Sequence, residues 1–426
     1  MDIMTVSPGT RTGRVGIPSS KSLTHRALIC RALADRPSRI ELDGFSADIQ
    51  ATMECLKGLG AAFSFSEGVL EITPIKKIPE EKKSPQEVHL PCSESGSTLR
   101  FLLPVAGALG QEAVFSMEGR LSERPMERFE QVLKDHGMKI RRNGRELYCS
   151  GQLESGEYVL PGNISSQYIT GLLFALPMLE GSSRIRIETK LESADYVRLT
   201  EDALCEAGII WETTQAGYRI PGRQRYQIGE GNETVRIEGD YSSAAFFLCA
   251  GAFSQQGITV HDLSPDSRQG DKRILQELER FGALVEVHGR EITVRKGQLR
   301  ETTIDGSMIP DLIPVLSIVA AGARGVTRIR NAARLRMKES DRIMSTCRML
   351  QSIGADVREL PDGLVIYGNG GLKGGALVDP FRDHRIAMAA AIAACICSEP
   401  VMIKDADCVG KSYPDFWEDL KSLGME

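Results

Sequence analysis

The sequence lacks long apolar runs, and this absence argues against membrane-spanning helices. Its two longest runs, residues 312–323 and 386–397, are shorter than the roughly 20 residues that cross a bilayer. Both are therefore predicted to be buried helices. Residues 1–16 contain no apolar core of the kind found in secretory signals. We expect a soluble protein of the cytoplasm with no membrane partner.

Paired cysteine motifs are also missing. The ten cysteines are scattered singly, apart from Cys395 and Cys397, with no CxxC and no histidine at a metal-ligand spacing. This pattern is typical of reduced thiols in a cytosolic core and argues against a disulfide framework or a zinc site.

The sequence has no excess of positive charge and few familiar catalytic motifs. Its 52 basic and 57 acidic residues give a net charge of −5, which argues against a nucleic-acid partner. There is no GxxxxGK[ST] loop, GxSxG elbow, HExxH pair or GxGxxG after a strand. The commonest nucleotide-binding, hydrolase and zinc-enzyme explanations are therefore disfavoured.

What the chain does have is a repeat of about 70 residues. At 426 residues, it is long enough for two domains of roughly 200 residues each. A Ser- or Asp-rich turn opens a helix of small residues, a β-branched strand follows, and an amphipathic helix and short strands complete a βαβαββ-like block. The openings of the six copies are Ser19-Ser20-Lys21-Ser22, Ser95-Gly96-Ser97-Thr98, Ser165-Ser166-Gln167, Asp240-Tyr241-Ser242-Ser243, Pro310-Asp311 and Asp383-His384-Arg385.

Six copies in two equal domains predict a boundary after the third copy, near Glu238. One N-terminal strand is then left over, and we assign it to the second domain. The predicted domains are residues 21–238, and residues 1–20 with 239–426.

Cationic residues lie near several of the copy openings. A helix N-terminus carries unpaired N–H groups and a partial positive charge, so anions bind there. Lys21, Ser22 and Arg26 lie at the first opening, Gly96 at the second allows close approach to the backbone, and Arg124 follows in a turn.

The second half adds Lys338 and Arg342, spaced as an i,i+4 pair on one helix face, with Arg385 and Lys411. Several cations together favour a ligand with more than one phosphate or carboxylate. Simpler interpretations remain open: a surface salt-bridge set at 338–342, plain N-caps at Ser165-Ser166 and Ser242-Ser243, and a structural His384.

Taken in order, these segments resemble the 5-enolpyruvylshikimate-3-phosphate (EPSP) synthase family along nearly the whole chain. The family fold so implied is α/β, with two similar domains, each an inside-out α/β barrel of three βαβαββ repeats. The resemblance rests on Ser20-Lys21-Ser22, His25-Arg26-Ala27, Ser95-Gly96-Ser97-Thr98-Leu99-Arg100, Arg124-Pro125-Met126, Ser165-Ser166-Gln167, Asp240-Tyr241-Ser242-Ser243, Lys338-Glu339-Ser340-Asp341-Arg342, Asp383-His384-Arg385 and Lys411-Ser412-Tyr413-Pro414-Asp415.

The resemblance also implies the substrates and the residues that hold them. Arg334 stands where many members have Asn, which puts one shikimate-phosphate contact in question. The implied shikimate-3-phosphate residues are Lys21, Ser22, Arg26, Ser165, Ser166, Gln167, Ser193, Tyr196, Asp311 and Lys338. The implied phosphoenolpyruvate residues are Lys21, Gly96, Arg124, Gln167, Arg342, Arg385 and Lys411.

In the implied reaction, the 5-hydroxyl of shikimate-3-phosphate attacks C2 of phosphoenolpyruvate while C3 gains a proton, and phosphate then leaves. Asp311 is the candidate base for the hydroxyl, and Glu339 or Lys21 the candidate for proton transfer at C3. No metal or covalent cofactor is required, and we expect a monomer.

Two functions are alternatives to this assignment: that of a related transferase, and that of a protein of a different functional class. The related UDP-N-acetylglucosamine enolpyruvyl transferases carry Lys-Asn where this chain has Lys21-Ser22, and usually a cysteine in the loop that here, at residues 119–128, has none. A non-catalytic anion-binding or RNA-end-processing protein on a related repeat fold is disfavoured by the acidic net charge and by Asp311 and Glu339.

Overall fold

The computed structural model describes residues 3–76 and 87–425. The α-helices are α1 (Lys21–Ala32), α2 (Ala47–Gly58), α3 (Gly96–Ala108), α4 (Glu127–Lys134), α5 (Ser166–Ala175), α6 (Ala194–Glu206), α7 (Tyr241–Gly251), α8 (Ile274–Phe281), α9 (Ile313–Gly322), α10 (Arg342–Ser352), α11 (His384–Ala393) and α12 (Phe416–Ser422).

The strands, in chain order, are β1 (Ile3–Val6), β2 (Arg11–Gly16), β3 (Ser38–Glu41), β4 (Ala62–Ser66), β5 (Val69–Thr73), β6 (Val88–Ser93), β7 (Ala113–Met117), β8 (Lys139–Asn143), β9 (Glu146–Ser150), β10 (Glu157–Leu160), β11 (Ser183–Ile187), β12 (Glu212–Thr214), β13 (Gly217–Ile220), β14 (Thr234–Arg236), β15 (Ile258–His261), β16 (Leu284–His288), β17 (Glu291–Arg295), β18 (Thr303–Asp305), β19 (Arg324–Arg330), β20 (Asp356–Leu360), β21 (Gly363–Asn369), β22 (Leu377–Val378), β23 (Val401–Lys404) and β24 (Gly424–Met425).

The chain divides into two compact units, one of Lys21–Ile237 and one of Met1–Ser20 with Glu238–Glu426. Strand pairing explains the division. The early strand β2 pairs in parallel with β15, far along the chain, whereas β14 pairs in parallel with β3. Glu238 belongs to the unit that follows it, one residue before the predicted boundary.

The second copy shows the complete repeat, β6-α3-β7-α4-β8-β9. Its sheet has the order β6-β7-β9-β8, in which β6 and β7 are parallel and β7, β9 and β8 are antiparallel neighbours. Asn143 and Gly144 lie in the β8–β9 hairpin, where Gly144 has a φ of +59°. Asn-Gly is the sequence that favours such tight turns. The sheets of β10–β13 and β18–β21 repeat this strand order.

Three copies depart from the complete repeat. The first copy takes its leading strand from β14 and the fourth takes its leading strand from β2. In the sixth, β22 and β23 are joined by β1, antiparallel to β23, in place of the usual hairpin. These exchanged strands, which are distant in sequence, tie the ends of each unit together.

The first helix of each copy lies in the core of its unit. Helices α7, α9 and α11 pack on one another, and α3 packs on α5. Every residue of α11 is buried, and so is every residue of α9 except Gly322. The sheets therefore lie outside the helices, and the two apolar runs predicted to be buried helices are confirmed.

Side chains cap the N-termini of several helices, as the Ser- and Asp-rich openings predict. Ser95 caps α3, Ser165 caps α5, Asp240 caps α7 and Asp383 caps α11. In the fourth copy, Gly270–Arg273 forms a 3-10 turn, and the second helix of that copy, α8, begins at Ile274.

The ten cysteines are free thiols, and eight are buried, so most of them lie in the core as predicted. Across residues 3–76 and 87–425, no helix combines the length and apolar character needed to cross a membrane. Over the same residues, no group of three or more His, Cys, Asp and Glu side chains is arranged to hold a metal ion.

Candidate active site

The start of α1 holds the first predicted cation. Lys21 is the first residue of α1, and its Nζ lies 2.8 Å from Asp48 Oδ2 at the start of α2. Both side chains are largely buried. Thr98 Oγ1, from the first turn of α3, lies 3.4 Å from Asp48 O. The N-terminal turns of α1, α2 and α3 are thereby linked.

A buried chain of side chains strengthens this link. Thr52 Oγ1 lies 2.8 Å from His25 Nδ1 and 2.7 Å from Thr98 Oγ1. Thr98 Oγ1 in turn donates to Ser95 Oγ, the cap of α3, at 2.7 Å. Buried hydrogen bonds between side chains restrict the local geometry, so the three helix starts are held together.

Arg26 connects α1 with α6 through hydrogen bonds to neutral acceptors. It donates to Ser22 O and Tyr196 O at 2.6 Å and to Thr200 Oγ1 at 2.9 Å. These acceptors are neutral, and burial lowers the pKa of Arg26 to about 10. A buried guanidinium with neutral partners favours an anion nearby.

Gly96 begins α3 beneath two arginines. A Cβ placed on Gly96 would lie 2.6 Å from Arg100 Nη1 and 2.9 Å from Arg124 Nη1. A side chain here would therefore displace both guanidiniums. Because a helix N-terminus already favours negative charge, the two arginines and the α3 N–H groups together favour an anion at this position.

Gln167 completes this cluster from α5. Arg100 Nη1 donates to Gln167 Oε1 at 2.8 Å, and Gln167 Nε2 donates to Ser97 Oγ at 2.9 Å. The backbone N–H of Gln167 donates to the α5 cap Ser165 at 3.3 Å. We define the Gly96 cluster as Gly96, Ser97, Arg100, Arg124 and Gln167.

Other predicted residues of this unit lie at helix starts. Ser165 is the N-cap of α5, and Ser166 is its first residue and buried. Ser193 precedes α6 with a φ of +53° and is buried. Non-glycine residues in this conformation are uncommon and cluster at functional sites. The N-cap interpretation of Ser165 is confirmed, which leaves its hydroxyl also able to meet a ligand.

Arg342 is the centre of the predicted residues in the other unit. It is 1% exposed. Its Nε donates to Asp383 Oδ2 at 2.8 Å, its Nη1 to Asp311 Oδ1 at 2.7 Å and its Nη2 to Glu339 Oε2 at 2.7 Å. Although burial alone would lower the pKa of Arg342, the three carboxylates raise it above its usual value.

Asp311 receives two further cations. Arg385 Nη2 donates to Asp311 Oδ2 at 3.0 Å, and Lys338 Nζ lies 3.8 Å from Asp311 Oδ1. Burial raises the pKa of Asp311, but Arg385, Lys338 and Arg342 outweigh it and hold that pKa well below its usual value. Asp311 is therefore ionised at neutral pH and surrounded by the cations predicted to bind substrate.

Two other ionisable groups of this cluster titrate near neutral pH. Burial lowers the pKa of Lys338 to about 8, with Arg342 and Arg334 adding to the effect and Asp311 opposing it. Burial, and then the charge of Asp311, raise the pKa of Asp271 to about 7. Asp271 accepts a hydrogen bond from Ser242 Oγ in the first turn of α7.

The structure corrects the predicted placement of Lys338. Helix α10 begins at Arg342, and Asp341 caps it by accepting from Met344 N at 3.1 Å. Lys338 lies before that cap, at the end of the 3-10 helix Ala333–Met337 that carries Arg334. Lys338 and Arg342 therefore do not share a helix face, and they meet through Asp311.

The surface salt-bridge interpretation of residues 338–342 is wrong for Arg342, which is buried among three carboxylates. His384 is also buried, as the first residue of α11. Lys411 differs from the helix-start pattern, because it ends the 3-10 helix Ala406–Lys411 and is largely buried there.

The predicted site residues thus gather in two places, one in each unit. Three partners were absent from the predicted set: Asp48, Asp271 and Asp383. The only sequence signal for them is position, since each precedes or begins a helical turn. Their hydrogen-bond partners lie 27 or more residues away, and one sequence does not reveal contacts at that separation.

Comparison with known proteins identifies the family. Residues 7–420 match the family described as EPSP synthase (3-phosphoshikimate 1-carboxyvinyltransferase). The chain is similar to proteins named 3-phosphoshikimate 1-carboxyvinyltransferase from Clostridium beijerinckii (42% identical over 433 residues) and Clostridium kluyveri (43% over 429 residues). Each comparison covers 100% of this chain and 98% of the relative.

Solved structures give the same result. An EPSP synthase from Acinetobacter baumannii matches with a TM-score of 0.79 and 26% identity, covering 100% of this chain and 99% of that one. The predicted α/β fold, with two inside-out α/β barrels, is confirmed by this match. With the family match over residues 7–420 and relatives more than 40% identical along the whole chain, the protein belongs to the EPSP synthase (3-phosphoshikimate 1-carboxyvinyltransferase) family.

Proposed function

We propose that the protein carries out the reaction of its family. It transfers the enolpyruvyl group of phosphoenolpyruvate to the 5-hydroxyl of shikimate-3-phosphate and releases phosphate, in the shikimate pathway to chorismate and the aromatic amino acids. The assignment of roles rests on the Gly96 cluster, where the guanidiniums of Arg100 and Arg124 lie close to Gly96 at the N-terminus of α3.

The Gly96 cluster suits phosphoenolpyruvate, which carries both a phosphate and a carboxylate. Arg124 and the α3 N–H groups provide donors to one anionic group, and Gln167 borders the same space. Charge-assisted hydrogen bonds of this kind contribute about 1.5–3 kcal/mol each. The proposed phosphoenolpyruvate residues are Lys21, Gly96, Arg124, Gln167, Arg342, Arg385 and Lys411.

The helix starts around α1, α5 and α6 suit shikimate-3-phosphate. The buried charge of Arg26 and the capped start of α5 favour its phosphate. Lys338, held beside Asp311 at 3.8 Å, brings a cation next to the proposed base. The proposed shikimate-3-phosphate residues are Lys21, Ser22, Arg26, Ser165, Ser166, Gln167, Ser193, Tyr196, Asp311 and Lys338.

Asp311 takes the proton of the 5-hydroxyl as its oxygen attacks C2. The same arginines that hold Asp311 are proposed to bind phosphoenolpyruvate. A substrate anion that contacts these arginines weakens their interaction with Asp311. The pKa of Asp311 then rises, and its carboxylate becomes a better base. Binding of one substrate thereby prepares the base for the other.

Proton transfer at C3 is assigned to Glu339 or Lys21. Glu339 contacts Arg342 at 2.7 Å and Lys21 contacts Asp48 at 2.8 Å, so each has a defined partner. C3 gains a proton as the tetrahedral intermediate forms and loses one as the C2–O bond to phosphate breaks. The arginines stabilise the anionic groups throughout.

We further propose that the two units are the two domains of the enzyme, with the crossing at Ser20 and Glu238. The enzyme works as a monomer in the cytoplasm, without a nucleic-acid or membrane partner and without a metal or covalent cofactor.

Phosphate release from phosphoenolpyruvate tests the function, with shikimate-3-phosphate or UDP-N-acetylglucosamine as acceptor. We expect release with shikimate-3-phosphate alone. Release only with the UDP-sugar would assign the protein to the related transferases, and no release with either would favour an anion-binding protein.

A variant pair tests the role of Asp311. Asp311→Asn should lower kcat by about 10²- to 10⁴-fold while shikimate-3-phosphate still binds in calorimetry. The exposed Asp356→Asn is the matched control and should leave kcat unchanged. Equal kcat in both variants would contradict the role.

A further inference from the structure

The chain passes between its two units at two places, and the two places lie side by side. It leaves one unit after Ser20 and returns at Glu238. Ser20 N donates to Glu238 O at 2.8 Å, and Asp240 N donates to Pro18 O at 3.0 Å. Ser19 forms an antiparallel bridge with Gly239. We call residues 18–20 and 238–241 the crossing segments.

The amide of Gln269 joins these crossing segments with a complete set of hydrogen bonds. Its Oε1 accepts from Ser20 Oγ and from Tyr241 N, both at 3.1 Å. Its Nε2 donates to Glu238 Oε1 at 2.8 Å and to Gly239 O at 2.9 Å. The side chain is 7% exposed. A buried amide with two donors and two acceptor positions in use has one favourable orientation.

The neighbours of Gln269 leave little freedom. Ser267 Oγ donates to Glu238 Oε1 and accepts from Gln269 N at 3.2 Å. On the other side, Gly239 N donates to Asp262 O at 3.1 Å, and a Cβ on Gly239 would lie 2.8 Å from that oxygen. The crossing segments are therefore closely packed where the amide holds them.

We propose that Gln269 is a positioning residue for enolpyruvyl transfer, because it fixes the crossing segments and hence the starts of α1 and α7. Lys21, a proposed substrate and proton-transfer residue, follows Ser20 directly. The start of α7 is fixed at Tyr241 N, and the next residue, Ser242, donates to Asp271. The inference rests on the proposed function, since it assigns Gln269 an effect on turnover without contact to substrate.

A purely structural role makes a different prediction. In that case, loss of Gln269 lowers the free energy of unfolding, but turnover per folded molecule stays the same. If Gln269 has a positioning role, turnover per folded molecule should instead change whenever the hydrogen bonds of residue 269 change. A variant whose hydrogen bonds change with pH separates the two.

Two variants and a control provide the test. In Gln269→Leu, we expect kcat to fall by about tenfold or more, because small misplacement of reacting groups is costly. The amides of Ser20, Asp240 and Tyr241 should exchange faster with deuterium, at a temperature where circular dichroism shows a folded protein. Gln276→Glu, an exposed position on α8, should match the wild type in both measurements.

Gln269→Glu adds the pH readout. An ionised carboxylate at position 269 faces the carboxylate of Glu238 and the carbonyl of Gly239 and repels both, whereas the protonated form restores one donor. The kcat ratio of variant to wild type should therefore rise as pH falls from 8 to about 5.5. The acids carried by the segments around position 269 are Glu238, Asp240, Asp262, Asp266 and Asp271. Of the nearby cations, Arg268 is exposed, Lys272 donates to Pro265 O and Arg290 donates to Asp262 O.

Each outcome of these experiments either supports or overturns the positioning role of Gln269. A Gln269→Glu ratio that stays flat with pH would overturn the proposal, and so would a folded Gln269→Leu with kcat within twofold of the wild type. If Gln269→Leu does not fold, the pH ratio of Gln269→Glu decides. If the wild type shows no turnover, the proposed function fails separately, and deuterium exchange alone decides whether Gln269 holds the crossing segments.

Discussion

Replacing Gly96 by alanine perturbs the Gly96 cluster with a single added methyl group. That Cβ would lie 2.6 Å from Arg100 Nη1 and 2.9 Å from Arg124 Nη1, distances well inside van der Waals contact. Both atoms are the ends of flexible side chains, so the guanidiniums move and the backbone does not. The fold should tolerate the change, whereas the anion site should not.

The magnitude follows from the hydrogen bonds that a displaced guanidinium can no longer donate to the substrate. Loss of one charge-assisted hydrogen bond, about 1.5–3 kcal/mol, corresponds to a rise of about 10- to 150-fold in KM for phosphoenolpyruvate. The KM for shikimate-3-phosphate should change by less than about threefold, because Gln167 is the only one of its proposed residues that belongs to the Gly96 cluster. The free energy of unfolding should stay within about 1 kcal/mol, since alanine favours the helix slightly.

Initial rates of phosphate release, with each substrate varied in turn, measure this effect. Gly371→Ala is the matched control: its φ is not in the left-handed region, and its Cβ would meet only Ile396 O, at 3.5 Å. The control should match the wild type. An unchanged KM for phosphoenolpyruvate in Gly96→Ala, or an equal rise in both KM values, would refute the assignment of the Gly96 cluster.

Three other predictions concern the second unit. Asp383→Asn removes a buried carboxylate from Arg342, so the free energy of unfolding measured in urea should fall by about 3–5 kcal/mol; a loss below about 1 kcal/mol would contradict the pairing. Because the pKa of Lys338 is lowered to about 8, the KM for shikimate-3-phosphate should rise above that pH, and Lys338→Arg should flatten the rise. Burial raises the pKa of Asp271 to about 7, so its protonated form stabilises the native state at low pH and this contribution is lost as pH rises through 7. Urea unfolding of Asp271→Asn should therefore gain about 2 kcal/mol relative to the wild type between pH 5 and 8, and a constant difference would show that Asp271 does not titrate there.

Local sequence signals predicted the repeats and most helix starts correctly. The opening at Asp240 is an N-cap, and the strand Ile258–His261 follows its helix in the order that the repeat predicts. These features depend on neighbouring residues, which a sequence displays directly. Asp341 carries the same kind of local signal, because Asp is a favoured N-cap residue. It caps α10 just before Arg342 and so separates Lys338 from that helix.

Contacts between distant residues could not be predicted in this way. Arg342 was expected to bind substrate, but nothing local shows that Asp383, 41 residues on, holds its Nε. Nor does the sequence show that Gln269 reaches Ser20, 249 residues away. The pair of Gln269 and Ser20 becomes possible because β2, near the start of the chain, pairs with β15. The family resemblance named the site residues, whereas only the structure shows what holds them in place.

The most direct test of the proposed reaction follows both substrates at once by NMR. Phosphorus spectra of the purified enzyme with phosphoenolpyruvate and shikimate-3-phosphate should show the phosphoenolpyruvate signal replaced by an equal amount of inorganic phosphate. Proton spectra should show the vinyl protons of an enolpyruvyl ether in the same amount, with the 3-phosphate retained. Phosphate release without a new vinyl ether, or spectra that do not change, would contradict enolpyruvyl transfer by this protein.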